Sequence, residues 1–149
     1  MKIQEAETKI KALVEGYLPE WEFEWDNATS RFGRCNYLLQ KITLSKTLVK
    51  LNDWEQVKDT ALHEIAHGLV GIGHHHDQVW EDKCIEIGCS PERCYPESVV
   101  RPSRKYVGIC PNCGRKIYRN RRNEISCGKC SKVWNPKYKF IWKLNKKGV

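Results

Sequence analysis

Leu62-His63-Glu64-Ile65-Ala66-His67-Gly68-Leu69-Val70-Gly71-Ile72-Gly73-His74-His75-His76 is the stretch from which the rest of the chain can be read. Val57, Ala61, Leu62, Ile65, Ala66 and Leu69 recur at helical spacing, so its first half belongs to an amphipathic helix with a buried face. At roughly 100° and 1.5 Å per residue, His63 and His67 stand one turn apart on nearly the same side, where both imidazoles can reach one metal ion. Glu64 is turned away by about a quarter of a circle and can address a water at the metal instead. This H-E-x-x-H spacing is the layout for zinc-assisted hydrolysis. The helix is expected from about Asp53 to Leu69, with Asn52 as N-cap and Glu55 completing a capping box.

A catalytic zinc takes three protein ligands and keeps one position open. Gly71 and Gly73 let the chain turn sharply after the helix, so a histidine of the run His74-His75-His76 can come back over the metal. Glu81 or Glu86 on a following helix is the alternative donor, and a histidine is preferred. The metzincin spacing would need Gly at 70 and His at 73, where this chain has Val70 and Gly73. All five histidines of the chain fall in this one stretch, which argues against a chance motif.

Asp77 to Ile87 reads as a second helix, with Trp80, Cys84 and Ile87 at helical spacing. With H-E-x-x-H, a glycine-rich turn and His76-Asp77-x-x-Trp80 at the head of a helix, the chain resembles the SprT/Spartan family of zinc metalloproteases. The resemblance implies that His76 is the third zinc ligand and that Trp80 packs the following helix against the metal helix. It implies a catalytic Glu64, and leaves His74 and His75 as bystanders or as groups beside the ligands and substrate. Asp77 stands where the family often has glycine, and the cysteine-rich turn at 84–94 departs from its pattern.

Composition divides the chain. Residues 1–100 carry 11 Lys and Arg against 17 Asp and Glu, a balance of −6; residues 101–149 carry 15 against the single Glu124, a balance of +14. An acidic body is thus followed by a basic piece suited to nucleic acid. No run approaches the roughly 18 apolar residues of a membrane span, and the start Met1-Lys2-Ile3-Gln4-Glu5-Ala6-Glu7 lacks the apolar run of a signal peptide. The expectation is an intracellular protein, cytoplasmic or DNA-associated, and nuclear if eukaryotic, without membrane contact. Its eight cysteines then read as metal ligands and reduced thiols before disulfides.

In the body, Ile3, Ala6, Ile10, Leu13, Val14 and Tyr17 mark one helical face over residues 3–18, ended by Pro19. Trp21, Phe23 and Trp25 alternate with glutamates as a half-buried strand, and Arg31 to Tyr37 and Lys41 to Leu44 read as two more. Three short sequential strands favour a small antiparallel sheet. Gly33-x-Cys35 and Ile42-Thr43-Leu44-Ser45 resemble the corresponding family segments, and Cys35 reads as a buried structural thiol. Cys84, Cys89 and Cys94 lack a close C-x-x-C pair and read as ordinary thiols, with a redox role as the alternative.

After a linker around Pro96 to Lys105 come Cys110-x-x-Cys113 and Cys127-x-x-Cys130, thirteen residues apart. Two such knuckles can place four thiolates tetrahedrally around a structural zinc, as in a zinc ribbon. Around them Lys116, Tyr118, Arg119, Arg121, Arg122 and Trp134 offer cations for phosphates and faces for unpaired bases, with little base specificity.

The expected architecture is α+β: a small zincin-like metalloprotease domain in residues 1–100, helices plus a three-stranded antiparallel sheet, then a basic zinc ribbon in 101–149 with a C-terminal tail. The expected function is a zinc metalloendopeptidase with two zinc ions, one catalytic and one structural. The resemblance implies substrates that are DNA-associated proteins, including DNA–protein crosslinks, and the ribbon would bind DNA, single-stranded or with little sequence preference. The rival is a non-enzymatic zinc-binding protein that binds nucleic acid, such as a transcription accessory factor.

Overall fold

The first helix, α1 (Ile3–Tyr17), buries Ala6, Ile10 and Val14, one residue per turn, and stops just before Pro19. The computed structural model describes residues 1–92 and 98–146. The chain divides into two units, Met1–Arg101 and Pro102–Val149. Among the described residues no helix is long and apolar enough to cross a membrane.

The sheet of the first unit is mixed, not antiparallel. Its strands β1 (Glu22–Asp26), β2 (Gly33–Asn36) and β3 (Lys41–Ser45) lie in the order β1-β3-β2, with β1 parallel and β2 antiparallel to β3. Sequential strands neighbour one another often but not always, and here composition decides the order. Ile42 and Leu44 of β3 are fully buried and belong in the centre. Glu22, Glu24 and Asp26 of β1 suit an edge, where charge is tolerated. There Glu24 pairs with Lys41 at 2.7 Å, and Asp26 takes Arg31 and the Thr43 hydroxyl at 3.0 Å.

Ser45 caps a short helix absent from the sequence reading, α2 (Lys46–Leu51), by accepting Leu48 N–H. The metal helix, α3, then runs Trp54–Val70. Its N-cap is Asp53, accepting Gln56 N–H at 3.1 Å, and not Asn52 as the capping-box pattern suggested. Asn52 is buried and does a different job. Its amide donates to the Leu48 and Val100 carbonyls at 2.8 and 2.9 Å and accepts Val100 N–H at 2.9 Å. A carboxylate has no donor for those carbonyls, so the two neighbours are not interchangeable.

Helix α4 (Gln78–Ile87) is capped by Asp77, which accepts Trp80 N–H. It closes through Gly88 in the left-handed region, with Cys89 N–H on Cys84 O and Gly88 N–H on Ile85 O. This is a Schellman motif, whose apolar contact joins the third residue from the end to the second beyond it. Cys84 and Cys89 hold those two positions, both buried and both free thiols. Burial pushes both thiols up, so they serve here as apolar packing. Cys94 lies outside the described residues.

The second unit is an antiparallel sheet in the order β5-β4-β6, from β4 (Tyr106–Ile109), β5 (Lys116–Arg119) and β6 (Ile141–Leu144). Its buried core is Cys110, Cys127 and Phe140, with Ile117, Ile125, Tyr138 and Trp142 packed against it. So small an apolar core cannot carry the fold unaided.

Candidate functional site

His63, Glu64 and His67 are all buried on α3 although all three are polar. Gly71 (φ 82°) and Gly73 (φ 97°) turn the chain after the helix, and His76 follows with φ 57°, left-handed backbone that histidine adopts more readily than most residues. The turn brings His76 Nε2 to 3.1 Å from His67 Nε2 and 3.2 Å from His63 Nε2. One tetrahedral zinc with Zn–N bonds of about 2.05 Å sets its ligand nitrogens about 3.3 Å apart. Three imidazole nitrogens converging at that spacing fit a cation at their centre. Burial, then the neighbouring histidines, depresses His63 to about 3 and His67 to about 4, which keeps them neutral and fit to ligate.

Trp80 is fully buried against this trio, its ring 4.7, 5.2 and 4.6 Å from those of His63, His67 and His76, and stacked on His67. Its indole N–H is directed at the His63 carbonyl at 3.5 Å. It thereby packs α4 on the metal helix. Asp77 caps α4 and also takes His74 Nδ1 at 2.7 Å, while exposed His75 lines the cleft. Neither Glu81 nor Glu86 joins the cluster, and Glu86 pairs with Lys83 at 2.7 Å.

The trio opens on a cleft of about 390 Å³ whose other wall is β2 and the residue after it, through Gly33, Arg34, Cys35 and Tyr37. Gly33 is needed there. A Cβ at that position would stand 2.8 Å from Glu64 Cγ and 3.2 Å from Oε1, so Glu64 lies flat against the strand. Beyond it, burial and then the Glu64 charge raise the Cys35 thiol to about 12, and burial, Cys35 and Glu64 raise the Tyr37 phenol to about 12. Gly33 and Tyr37 were missed as site residues in the sequence. Their signal is their spacing from Cys35: the strand's alternation puts Gly33 on the same face as Cys35, and Tyr37 follows just beyond the strand's end.

Gly33→Ala displaces a flexible side chain and not backbone, so the melting temperature and metal content should change little. The carboxylate must move by several tenths of an ångström. Any turnover that depends on it should fall about 10- to 100-fold, since misplacement near 1 Å costs on that order. Unaltered turnover would show that the position of Glu64 does not matter.

In the second unit Cys110, Cys113, Cys127 and Cys130 bring their sulfurs within 4.8 Å of one another. Cys110–Cys130 is 3.8 Å and Cys113–Cys127 is 3.7 Å; a tetrahedral zinc with Zn–S bonds near 2.3 Å asks for about 3.8 Å. The Cys113 N–H, against burial and with help from the Asn112 N–H, holds Cys110 below the ordinary thiol range. The group is compatible with a zinc ribbon.

The basic and aromatic residues read as a nucleic-acid set do not form one surface. Lys116 and Tyr118 pair across β4 with Ile109 and Val107, and with Lys143 of β6 opposite Val107 they share one sheet face. There a groove of about 600 Å³ also reaches Lys146. Arg119 is on the other face, in register with Tyr106 and Leu144, and the Arg122 guanidinium covers the Tyr106 ring at 5.2 Å. Arg121 and Trp134 are exposed outside the strands. Trp142, by contrast, packs over Gly108 and donates to Asn123 O, so its role is structural.

A model of the SprT-like family matches residues 3–100. No curated protein matches the chain.

Proposed function

Since the chain belongs to the SprT-like family, we propose that it is a zinc metallopeptidase that cleaves proteins associated with DNA, those covalently trapped on it included. The observation that carries the reading is the convergence of His63, His67 and His76 beside a buried Glu64 in an open cleft. Those three histidines would hold the catalytic zinc, and Cys110, Cys113, Cys127 and Cys130 a second, structural one. Bound zinc supplies Lewis acidity, acidifying water and polarising the scissile carbonyl. Glu64 takes the proton of the attacking water and returns it to the leaving amine. β2 forms the far wall of the cleft.

The balance of +14 over residues 101–149 supports DNA as the tether. Binding both tether and substrate to one DNA raises the local concentration of that substrate over free protein. The six candidates on or near the ribbon sheet, Lys116, Tyr118, Arg119, Arg121, Arg122 and Trp134, are all exposed and would neutralise phosphates and stack on unpaired bases.

The test is proteolysis of a DNA-binding protein by the full chain, with and without single-stranded DNA and with and without a chelator. Cleavage that needs both DNA and metal is the expected result. Two metals bound, DNA retained and no cleavage in any condition would replace the enzyme by a binding protein whose metals are both structural.

A further inference from the structure

We propose that Tyr37 is a second catalytic group of the cleft, donating its phenolic O–H to the oxygen that becomes negative when water adds to the scissile carbonyl. The inference rests on the metallopeptidase reading above. Addition of water places a full charge on that oxygen, and a hydrogen bond present only then lowers the barrier without tightening the ground state. Glu64 is committed elsewhere, because the proton it takes from the water is the one it must deliver to the leaving amine. The donor must come from another part of the cleft.

Two donors line the strand wall, Arg34 and Tyr37; Arg34 is exposed and alternates in the pleat with Gly33 and Cys35, which lie toward Glu64, whereas Tyr37 is half-buried beside Cys35. Gly33 and Cys35 share one face of β2, and Tyr37, the residue after the strand, continues the same wall of the cleft that the histidines line. Gly33 lies beneath Glu64, Cys35 comes next, and the Tyr37 hydroxyl neighbours the Cys35 thiol, with Glu64 near enough to act on both. The phenol and the general base thus line one cleft. Trp21 packs edge-on against the Tyr37 ring, with centroids 6.4 Å apart. Sulfur is a weak acceptor, so a hydroxyl resting on a thiol loses little when it turns to an oxyanion, to which hydrogen bonds are roughly twice as strong. The phenol, half-buried and raised to about 12, stays a donor at every working pH. No proton is transferred. The O–H bond remains intact throughout.

Tyr37→Phe keeps the ring against Trp21 and removes only the donor. With DNA-bound protein as substrate, kcat is expected to fall about 10²- to 10³-fold, with KM and bound zinc unchanged. A second readout is independent of turnover. Calorimetry of the zinc-loaded chain with a phosphinic peptide, whose tetrahedral anion imitates the addition step, should show affinity lowered by a similar factor, while affinity for the corresponding cleavage product is unchanged. Wild-type kcat and wild-type phosphinate affinity in Tyr37→Phe would overturn the assignment. So would an equal loss for phosphinate and product, or loss of zinc, since these report packing. A wild-type chain that neither cleaves nor binds the phosphinate would overturn the peptidase reading itself, and this inference with it.

Discussion

Glu64→Gln is expected to lower protein cleavage by about 10³-fold while leaving fold and metal content unchanged, a loss within the range for removal of a positioned general base. The two side chains have the same shape, and glutamine fits the space over Gly33, where even one methyl carbon would intrude. Only the capacity to accept a proton goes. Metal content of the purified variant and its thermal melt check the first half of the claim, and single-turnover cleavage checks the second. A further sign is read away from the reaction. The Glu64 charge is the second influence, after burial, that raises the Cys35 thiol, so in the variant Cys35 should alkylate faster at mildly alkaline pH, followed peptide by peptide. Wild-type cleavage by a metal-replete Glu64→Gln chain would reject the proposed chemistry.

Cys127→Ser should unfold the second unit. Cys110 and Cys127 are two of the three buried core residues among those described there, so the cysteine cluster and the core share side chains. Structural zinc contributes on the order of 10 kcal/mol to the folding of such small units, more than the remaining contacts of Phe140 can replace. Amide spectra should lose dispersion for Pro102 onward. The resonances of α3 should stay, since the first unit has its own core built from Ile10, Ile42, Leu44, Ile65 and Trp80. Bound zinc should fall by one equivalent, and DNA affinity with its salt dependence should fall as the cationic sheet dissolves. A Cys127→Ser chain with native dispersion throughout would show that the sheet folds without metal.

The two metal groups were legible because each is a matter of spacing. One helical turn aligns His63 with His67, and two knuckles present four sulfurs, whatever the rest of the fold does. His76 needed more, since three adjacent histidines follow a flexible turn and periodicity cannot choose among them; the resemblance named it, and the turn glycines bring it to the other two. Strand order was hidden, because the antiparallel expectation assumed that neighbours in sequence pair, and β3 instead enters between β1 and β2. The cap was misread because local sequence could not decide it. Asn52 and Asp53 are both good caps, and the choice was made by Val100, nearly fifty residues away. The aromatic residues of the second unit show the same limit. Tyr118 and Trp142 lie in similar basic surroundings in sequence, yet the pleat exposes one and seats the other on Gly108.

The left-handed backbone at His76 restricts which substitutions that position can accept. Histidine, asparagine and aspartate are the side chains that visit such backbone most readily, and of these only histidine and aspartate make strong ligands for zinc. Cysteine and glutamate, acceptable donors in the abstract, would have to bend the chain first. Position 76 therefore has an alphabet of about two letters, and a library selected there for metal retention should return histidine and aspartate and little else.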